Sequence, residues 1–306
     1  MTRIAVALFN YEAGGSAGPH GGYRFEPLQQ AFADLDETPA LILFCEAKRY
    51  RDNGNAGLHA AAEALCDELG VPYVGVLGST DRGPIPPAIF YNPNVLTLRR
   101  WCNPDDPAVF DDQRNVARFA INDSGPVRET RREFLAFVAH FHPCSGVVRR
   151  QEAELLARYG RETLPVVGGG DLNSTASGPH LPQRDWHAAD YPSRAEKGVL
   201  RVGVWGPDTN AVDHLIGRWD DNVQGRVDGC GFHAVAELAR QANPTMVLLP
   251  TVNDGVDAGG GLLIDWLLVN DAMRPHIDTG SYRVHLPDPG RRFPSDHRLV
   301  TFSLDL

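Results

Sequence analysis

Short apolar runs that stop abruptly at a polar side chain constrain this chain more than any other feature. Residues 4–9 close on Asn10, residues 40–45 on Glu46, and residues 134–139 on His140. Each run is apolar throughout and too short for an ordinary helix, so it reads as a strand buried on both faces. Strands of that kind need cover on both sides, as in layered α/β folds. Helical patterns over about 25–35, 57–69 and 148–159 supply the cover, the second stopping at Gly70 ahead of Pro72. Further strands are expected at 73–77, 88–91, 95–101, 114–121, 133–141 and 262–269, with a last ordered stretch at 295–302. The turn Asn92-Pro93-Asn94 predicts a hairpin between 88–91 and 95–101.

The stretch Val166-Val167-Gly168-Gly169-Gly170-Asp171-Leu172-Asn173-Ser174 joins an apolar run to three glycines and then to an acid and an amide two apart. Glycines there would let the backbone turn sharply and let a ligand approach closely. Asp171 and Asn173 would then stand together at a strand exit. A carboxylate can bind a metal or take a proton, and an amide can donate to an anionic oxygen. An EF-hand loop is excluded, because the positions that require Gly and Glu hold Ala176 and Pro182. Asp265 lies inside an apolar run, where a carboxylate is costly unless paired. Its natural partner is the later Asp296-His297. At the middle strand, His142 competes with His140 for a functional role.

The 306 residues are 42% hydrophobic, enough to bury a core, so a disordered chain is excluded. The formal net charge of −10 argues against a broad nucleic-acid coat, because polyanions are held through Lys and Arg. It leaves room for a local basic groove, for which Arg128, Arg131, Arg132, Arg149, Arg150, Arg291 and Arg292 are candidates. The five cysteines are scattered with no C-x-x-C pair, which predicts free thiols in a reducing compartment, the cytoplasm. The first apolar run is too short for a signal peptide, and no run reaches the ~18 residues of a membrane span. No repeat, low-complexity tract or linker is visible. One domain over 1–306 is expected, with a substrate-specific insertion around 175–260, where the pattern weakens. There, helices are expected near 211–219 and 231–241, among loops holding Trp186, Trp205 and Trp219. Nothing indicates the oligomeric state.

Taken together, these residues resemble the endonuclease/exonuclease/phosphatase superfamily. That family has an Asn after the first strand, a Glu after the second, and a His at the end of a middle strand. G-D-x-N, an Asp in a late strand and a closing S-D-H follow. Asn10, Glu46, His140, Gly170-Asp171-Leu172-Asn173, Asp265 and Ser295-Asp296-His297 match in that order across nearly the whole chain. Residues 88–93 also resemble the family's hairpin entry. Leu263 departs from the family, which often has Arg there, and Glu12 adds a carboxylate of no evident role.

The resemblance implies a two-sheet αββα sandwich, deoxyribonuclease I-like, that hydrolyses a phosphoester with an activated water and Mg²⁺ or Mn²⁺. Glu46 would hold the metal, with Asn10 and Asp296 in or near its shell. His297 would be the general base, oriented by Asp265, with Asp171 sharing the proton work. Asn173 and His140 would hydrogen-bond the phosphoryl oxygens. Arg291 and Arg292, just ahead of Asp296, would bind substrate phosphates. Nucleic acid is the leading substrate class. The alternatives are a small or lipid-derived phosphoester of the inositol phosphate or sphingomyelin type, and an inactive binding protein on the same fold.

Overall fold

The computed structural model describes residues 2–18, 21–80, 85–102, 115–122, 132–256, 258–287 and 293–306. Chain order begins β1 (Arg3–Asn10), α1 (Glu26–Phe32), β2 (Leu41–Cys45), α2 (Asp52–Leu69), β3 (Val74–Leu77) and β4 (Ala88–Tyr91). It continues with β5 (Leu96–Cys102), β6 (Val116–Ile121), β7 (Glu133–His140), α3 (Gly146–Gly160) and β8 (Val166–Asp171). Next come α4 (Tyr191–Lys197), β9 (Gly198–Arg201), β10 (Val204–Pro207), α5 (Asn210–Ile216), β11 (Arg218–Asp220) and β12 (Gly225–Val227). The chain closes through β13 (Phe232–Ala234), α6 (Val235–Ala242), β14 (Asp265–Asn270), β15 (Ile277–Val284) and β16 (Val300–Asp305).

Two six-stranded sheets result, ordered β15-β16-β1-β2-β4-β3 and β13-β14-β8-β7-β6-β5. Each holds one parallel pair near its centre, β1 with β2 and β7 with β8; every other pairing is antiparallel. The period of two in a strand explains the layering. Ile4, Val6 and Leu8 of β1 face the second sheet. Ala7 and Phe9 face the opposite way, onto Leu28 and Phe32 of α1 and Leu58 of α2. Full burial of each large apolar side chain contributes about 1.5–3 kcal/mol. Helices α3 and α5 pack on each other and on the second sheet, which completes the expected αββα order.

Four expectations change. The segments 88–91 and 95–101 are not a hairpin. Strand β4, apolar on both faces, is enclosed between β2 and β3, whereas β5, with Arg99 and Arg100 exposed, is an edge strand of the other sheet. The Asn92 turn therefore carries the chain between sheets. The three glycines lie within β8 rather than at a turn. A Cβ on Gly170 would come within 1.6 Å of the Ala139 carbonyl, and one on Gly169 within 1.9 Å of the Trp266 carbonyl. Their smallness serves the neighbouring strands, not a ligand. Asp265 is the first residue of β14, since 262–264 run outside the ladder. Within 175–260 the structure adds α4 and two small hairpins, β9 with β10 and β11 with β12. The helix expected near 231–241 begins as β13, the edge strand of the second sheet, before turning into α6.

Candidate active site

Parallel pairing places the site. The C-terminal ends of β1, β2, β7 and β8 lie at one rim, carrying Asn10, Cys45 with Glu46, His140 and Asp171. Antiparallel β14 starts where β8 ends, so Asp265 pairs directly with Asp171. The loop before β16 brings in Asp296 and His297. Its Ser295 hydroxyl donates to the Asn10 carbonyl at 2.7 Å, and Asn253 donates from the other side to the Ser295 and Asp296 carbonyls, both at 2.8 Å, while its Oδ1 accepts from Arg298 Nε at 3.0 Å. Thr251 Oγ accepts the Asp265 N–H at 3.0 Å, and the Thr251 carbonyl accepts Arg298 N–H at 2.7 Å. One short segment, 251–253, thus holds both halves of the His–Asp pair.

Asp171 is the hub. Its Oδ2 accepts Asn10 Nδ2 at 3.0 Å and lies 3.6 Å from His140 Nε2 and 3.7 Å from His297 Nε2. Its Oδ1 accepts the Asn173 N–H at 2.8 Å, closing the turn that leaves Asn173 at φ 49°. His297 Nδ1 meets Asp265 Oδ2 at 2.7 Å. Asn10 Nδ2 also lies 3.5 Å from Glu46 Oε1, while Glu46 Oε2 accepts the Ala13 N–H at 2.8 Å. Cys45 Sγ sits beneath, accepting the Asp171 N–H at 3.4 Å and so tying the two sheets together under the site. Asp296 follows Ser295 at the same rim. His142 is exposed and its Nδ1 accepts the N–H groups of Cys144 and Ser145, so of the two competing histidines only His140 faces the hub.

The same architecture recurs among solved structures. TDP2 of D. rerio, complexed with a single-strand DNA product, matches at a TM-score of 0.55 and 13% identity, over 100% of both chains. The endonuclease/exonuclease/phosphatase of Bacteroides vulgatus matches at 0.55 and 16% identity, also over 100% of both. The 3′-5′ exonuclease NExo of Neisseria meningitidis gives 0.54 at 17% identity, over 99% of this chain and 100% of that one. This chain has the endonuclease/exonuclease/phosphatase fold. No family model matches the sequence, and no curated protein does.

Within that fold the electrostatics converge on the hub. Burial alone would raise the Asp171 carboxyl, but His297, His140 and Lys197 outweigh it and hold it below the ordinary carboxylate range. Burial also raises Asp265, and there the His297 ring only partly compensates. For His297, burial opposes the charge, yet Asp265 and Asp171 overcome it and push the imidazole up to about 10.

Lys197 is the residue that sequence reasoning missed. It ends α4, and its Nζ donates to Asn173 Oδ1 and to the Pro143 carbonyl, the latter at 3.0 Å. Burial lowers its pKa, and Asp171 offsets part of that. Asn173 is consequently engaged on both sides, since its Nδ2 donates to the Phe141 carbonyl at 2.9 Å. Expected as a donor to phosphoryl oxygens, it has one amide hydrogen committed to Phe141 and its oxygen to Lys197, which it holds at the rim. The helix that delivers Lys197 was detectable from Asp190 as N-cap, Pro192 in the first turn and Gly198 beyond the end. Nothing in the pattern separates Lys197 from an ordinary surface lysine.

The arginine candidates divide. Arg149 is fully buried, bonded to Asp208 at 3.0 Å and to three backbone carbonyls, so it braces the fold instead of meeting phosphate. Arg150 pairs with Glu154 one helical turn away. Arg132 Nη2 donates to the Thr2 hydroxyl at 3.2 Å. Arg128, Arg131, Arg291 and Arg292 lie outside the described residues. Glu12 is exposed, and its N–H donates to Ser295 Oγ at 3.1 Å. No helix is long and apolar enough to cross a membrane among the described residues.

Proposed function

We propose that this protein is a metal-dependent phosphodiesterase that hydrolyses nucleic acid with an activated water. One observation carries the reading: Asn10, His140 and His297 converge on the single oxygen Oδ2 of Asp171, with Asp265 behind His297. A structural ion pair does not require three partners from three separate parts of the chain. Asn10 Oδ1 is buried without a protein partner beside Glu46, and a hard oxygen pair of that kind suits Mg²⁺ or Mn²⁺. Glu46 and Asn10 would hold the ion, with Asp296, joined to Asn10 through the Ser295 hydroxyl, in or near its shell. Bound there, it would polarise the phosphoryl group and stabilise the leaving oxygen.

The chain's own groups do the rest. Asp171, kept ionised by the cations around it, accepts the proton of the attacking water. His297, gripped at Nδ1 by Asp265, presents Nε2 to a phosphoryl oxygen. That reverses the emphasis of the sequence reading, in which His297 took the proton. His140 and Lys197 add donors where negative charge shifts during the reaction, the place where fixed donors act most strongly. The four described free thiols suit a reducing compartment such as the cytoplasm.

The test is turnover of plasmid DNA, single-stranded DNA, RNA, inositol phosphates and sphingomyelin, each with Mg²⁺, with Mn²⁺ and with EDTA. The expected result is divalent-dependent cleavage of a nucleic acid. The charge of −10 favours a small phosphoester as the second reading, and cleavage of an inositol phosphate or sphingomyelin alone would establish it. No turnover on any substrate would leave a binding protein on this fold.

A further inference from the structure

Between α6 and β14 the chain makes an irregular pass at 250–253, and Thr251 within it is wholly buried. The N–H groups of Ile264 and Asp265, at the head of β14, both donate to Thr251 Oγ, at 3.1 and 3.0 Å. Those two bonds use both lone pairs of the hydroxyl oxygen and leave its single hydrogen to be placed. The Leu262 carbonyl lies 3.5 Å away, long for an O–H donor. That carbonyl already accepts the N–H groups of Thr251 and Val252, at 2.9 and 3.1 Å, so its own two lone pairs are taken.

Asp265 shows the matching deficit. Its Oδ2 is held by His297 Nδ1 at 2.7 Å, whereas Oδ1 is buried with no partner. A buried carboxylate oxygen without a donor is costly. Burial raises the Asp265 carboxyl, His297 opposes that, and a hydrogen bond from the Thr251 side chain acts in the same direction as His297. On its other side, the Thr251 carbonyl accepts the N–H of Arg298, the residue after His297, at 2.7 Å. Val252 bridges to His297 itself. The turn at Thr251 thus joins the strand that carries Asp265 to the loop that carries His297.

We propose that Thr251 is the positioning residue of the Asp265–His297 pair, its hydroxyl donating to the Asp265 carboxylate at Oδ1. Thr251 touches no substrate; its catalytic consequence runs through Asp265 and rests on the phosphoesterase reading. With Oδ1 held, the carboxylate cannot turn about its Cβ–Cγ bond. Oδ2 then stays in line with His297 Nδ1, and Nε2 stays aimed at the phosphoryl oxygen. Misplacing such a group by about 1 Å costs on the order of 10²-fold in rate. The competing role is purely structural, an acceptor for the two N–H groups at the head of β14. Both roles need the hydroxyl, but only the first reaches His297.

The histidine Nδ1–H resonances of the isotope-labelled full chain test the contact without using activity. A short bond to a carboxylate puts the His297 proton far downfield, and the resonance moves upfield as that bond lengthens or bends. Hydrolysis of bis(p-nitrophenyl) phosphate with Mg²⁺ reads kcat and KM, and a melting curve reads stability. Thr251→Val keeps the shape and removes the donor. It should move the His297 resonance upfield and lower kcat about 10- to 100-fold with KM unchanged. Thr251→Ser should recover the wild-type resonance and most of the kcat lost in Thr251→Val, while its missing methyl still lowers Tm. If Thr251→Val does not fold, Thr251→Cys takes its place; the thiol fills the site and donates weakly, so the same two changes are expected at smaller size. A lower Tm with resonance and kcat unmoved, in whichever of the two folds, would overturn the positioning role and leave Thr251 as an acceptor only. Equal losses in Thr251→Val and Thr251→Ser would overturn it as well, by assigning the effect to packing. An upfield shift in Thr251→Val, with neither this ester nor any substrate of the panel above cleaved by wild type, would overturn the phosphoesterase reading and leave the contact standing.

Discussion

The strand-end rim and the segment 175–260 contribute to one site by different means. At the rim, each side chain is placed by a hydrogen-bonded ladder: Asn10 by pairing with Cys45, His140 and Asp265 by pairing with Asp171. A one-residue slip would turn every such side chain to the other face, so register and site are the same constraint. The segment has no long ladder. It is held by buried charge: Arg149 on Asp208, Arg226 on Glu237 and Asp213, and His180 on Glu237 at 2.7 Å. It brings Lys197 to the rim. The chemistry thus rests on rigid strands, and the segment that would choose a substrate rests on ion pairs.

The largest effects are expected at the rim. His297→Ala should lower kcat by about 10²–10³-fold, the usual cost of losing a fixed donor to charge that develops in the transition state. Asp265→Asn should lose most of the rate with less damage to folding than Asp265→Ala, because the amide still fills the space. The double variant should be little worse than His297→Ala alone, since groups that act as a unit are not additive. Kinetics with a melting curve for each variant decides. Multiplicative losses that track Tm would make the pair a structural bridge and erase the contrast between the two regions.

The segment should respond in stability instead. Removing one partner of a buried ion pair costs about 3–5 kcal/mol. Glu237→Gln is therefore expected to lower Tm by roughly 6–10 °C while the rim stays assembled. The pH dependence follows in sign. Burial would raise the Glu237 carboxyl, but its bonds from His180 and Arg226 hold it below its ordinary value. Its contribution is present above the unfolded carboxylate pKa and is lost as pH falls through the lower folded value. Acid melting of wild type should therefore begin below about pH 4.3, near an unperturbed Glu, and Glu237→Gln should flatten that limb. An unaltered acid limb in the variant would show that the segment is anchored by something else.

The same contrast explains what was legible in the sequence. Apolar runs ending in Asn10, Glu46 and His140 announce buried strands and their exits, because burial on both faces removes all polar residues until the sheet ends. The order of the exits, with Gly170-Asp171-Leu172-Asn173 and Ser295-Asp296-His297, carried the two-sheet fold. Pairing was less visible. Strand β4 offers the same apolar face to β3 and to β5, and nothing in Asn92-Pro93-Asn94 says that the chain changes sheets there. Helix α4 buries none of its residues completely, so it leaves no periodic stripe. Arg149 and Lys197 are charged residues that local patterns assign to the surface. Only the positions of Asp208 and Asn173 reveal otherwise.

Lys197 sharpens the comparison, because it comes from the segment yet contacts the rim. Lys197→Met keeps most of the side-chain volume and removes the charge. A charge-assisted hydrogen bond is worth about 1.5–3 kcal/mol, so kcat should fall roughly 10- to 100-fold with little change in KM. A loss as large as that of His297→Ala would place Lys197 among the groups that hold the phosphoryl oxygens in the transition state. An unchanged kcat would confine it to bracing Asn173, with Tm as the only quantity that moves.

The smallest effect is expected from Arg291 and Arg292, which precede the Ser295 loop in sequence. A chain of net charge −10 repels a polyanion at long range, so any local cation near the rim acts against that field. If both arginines bind phosphates, Arg291→Ala/Arg292→Ala should raise KM for a nucleic-acid substrate severalfold at low salt and leave kcat alone. The gap should close as salt rises, because each lost contact removes about 0.7–0.9 from the slope of log affinity against log salt. Two contacts would flatten that slope by about 1.4–1.8. A small uncharged-leaving-group ester should show no salt effect in either protein. A KM increase that persists at high salt would mean that these residues shape the loop carrying His297 and not the path of the substrate. In that case the substrate would be read by the segment alone.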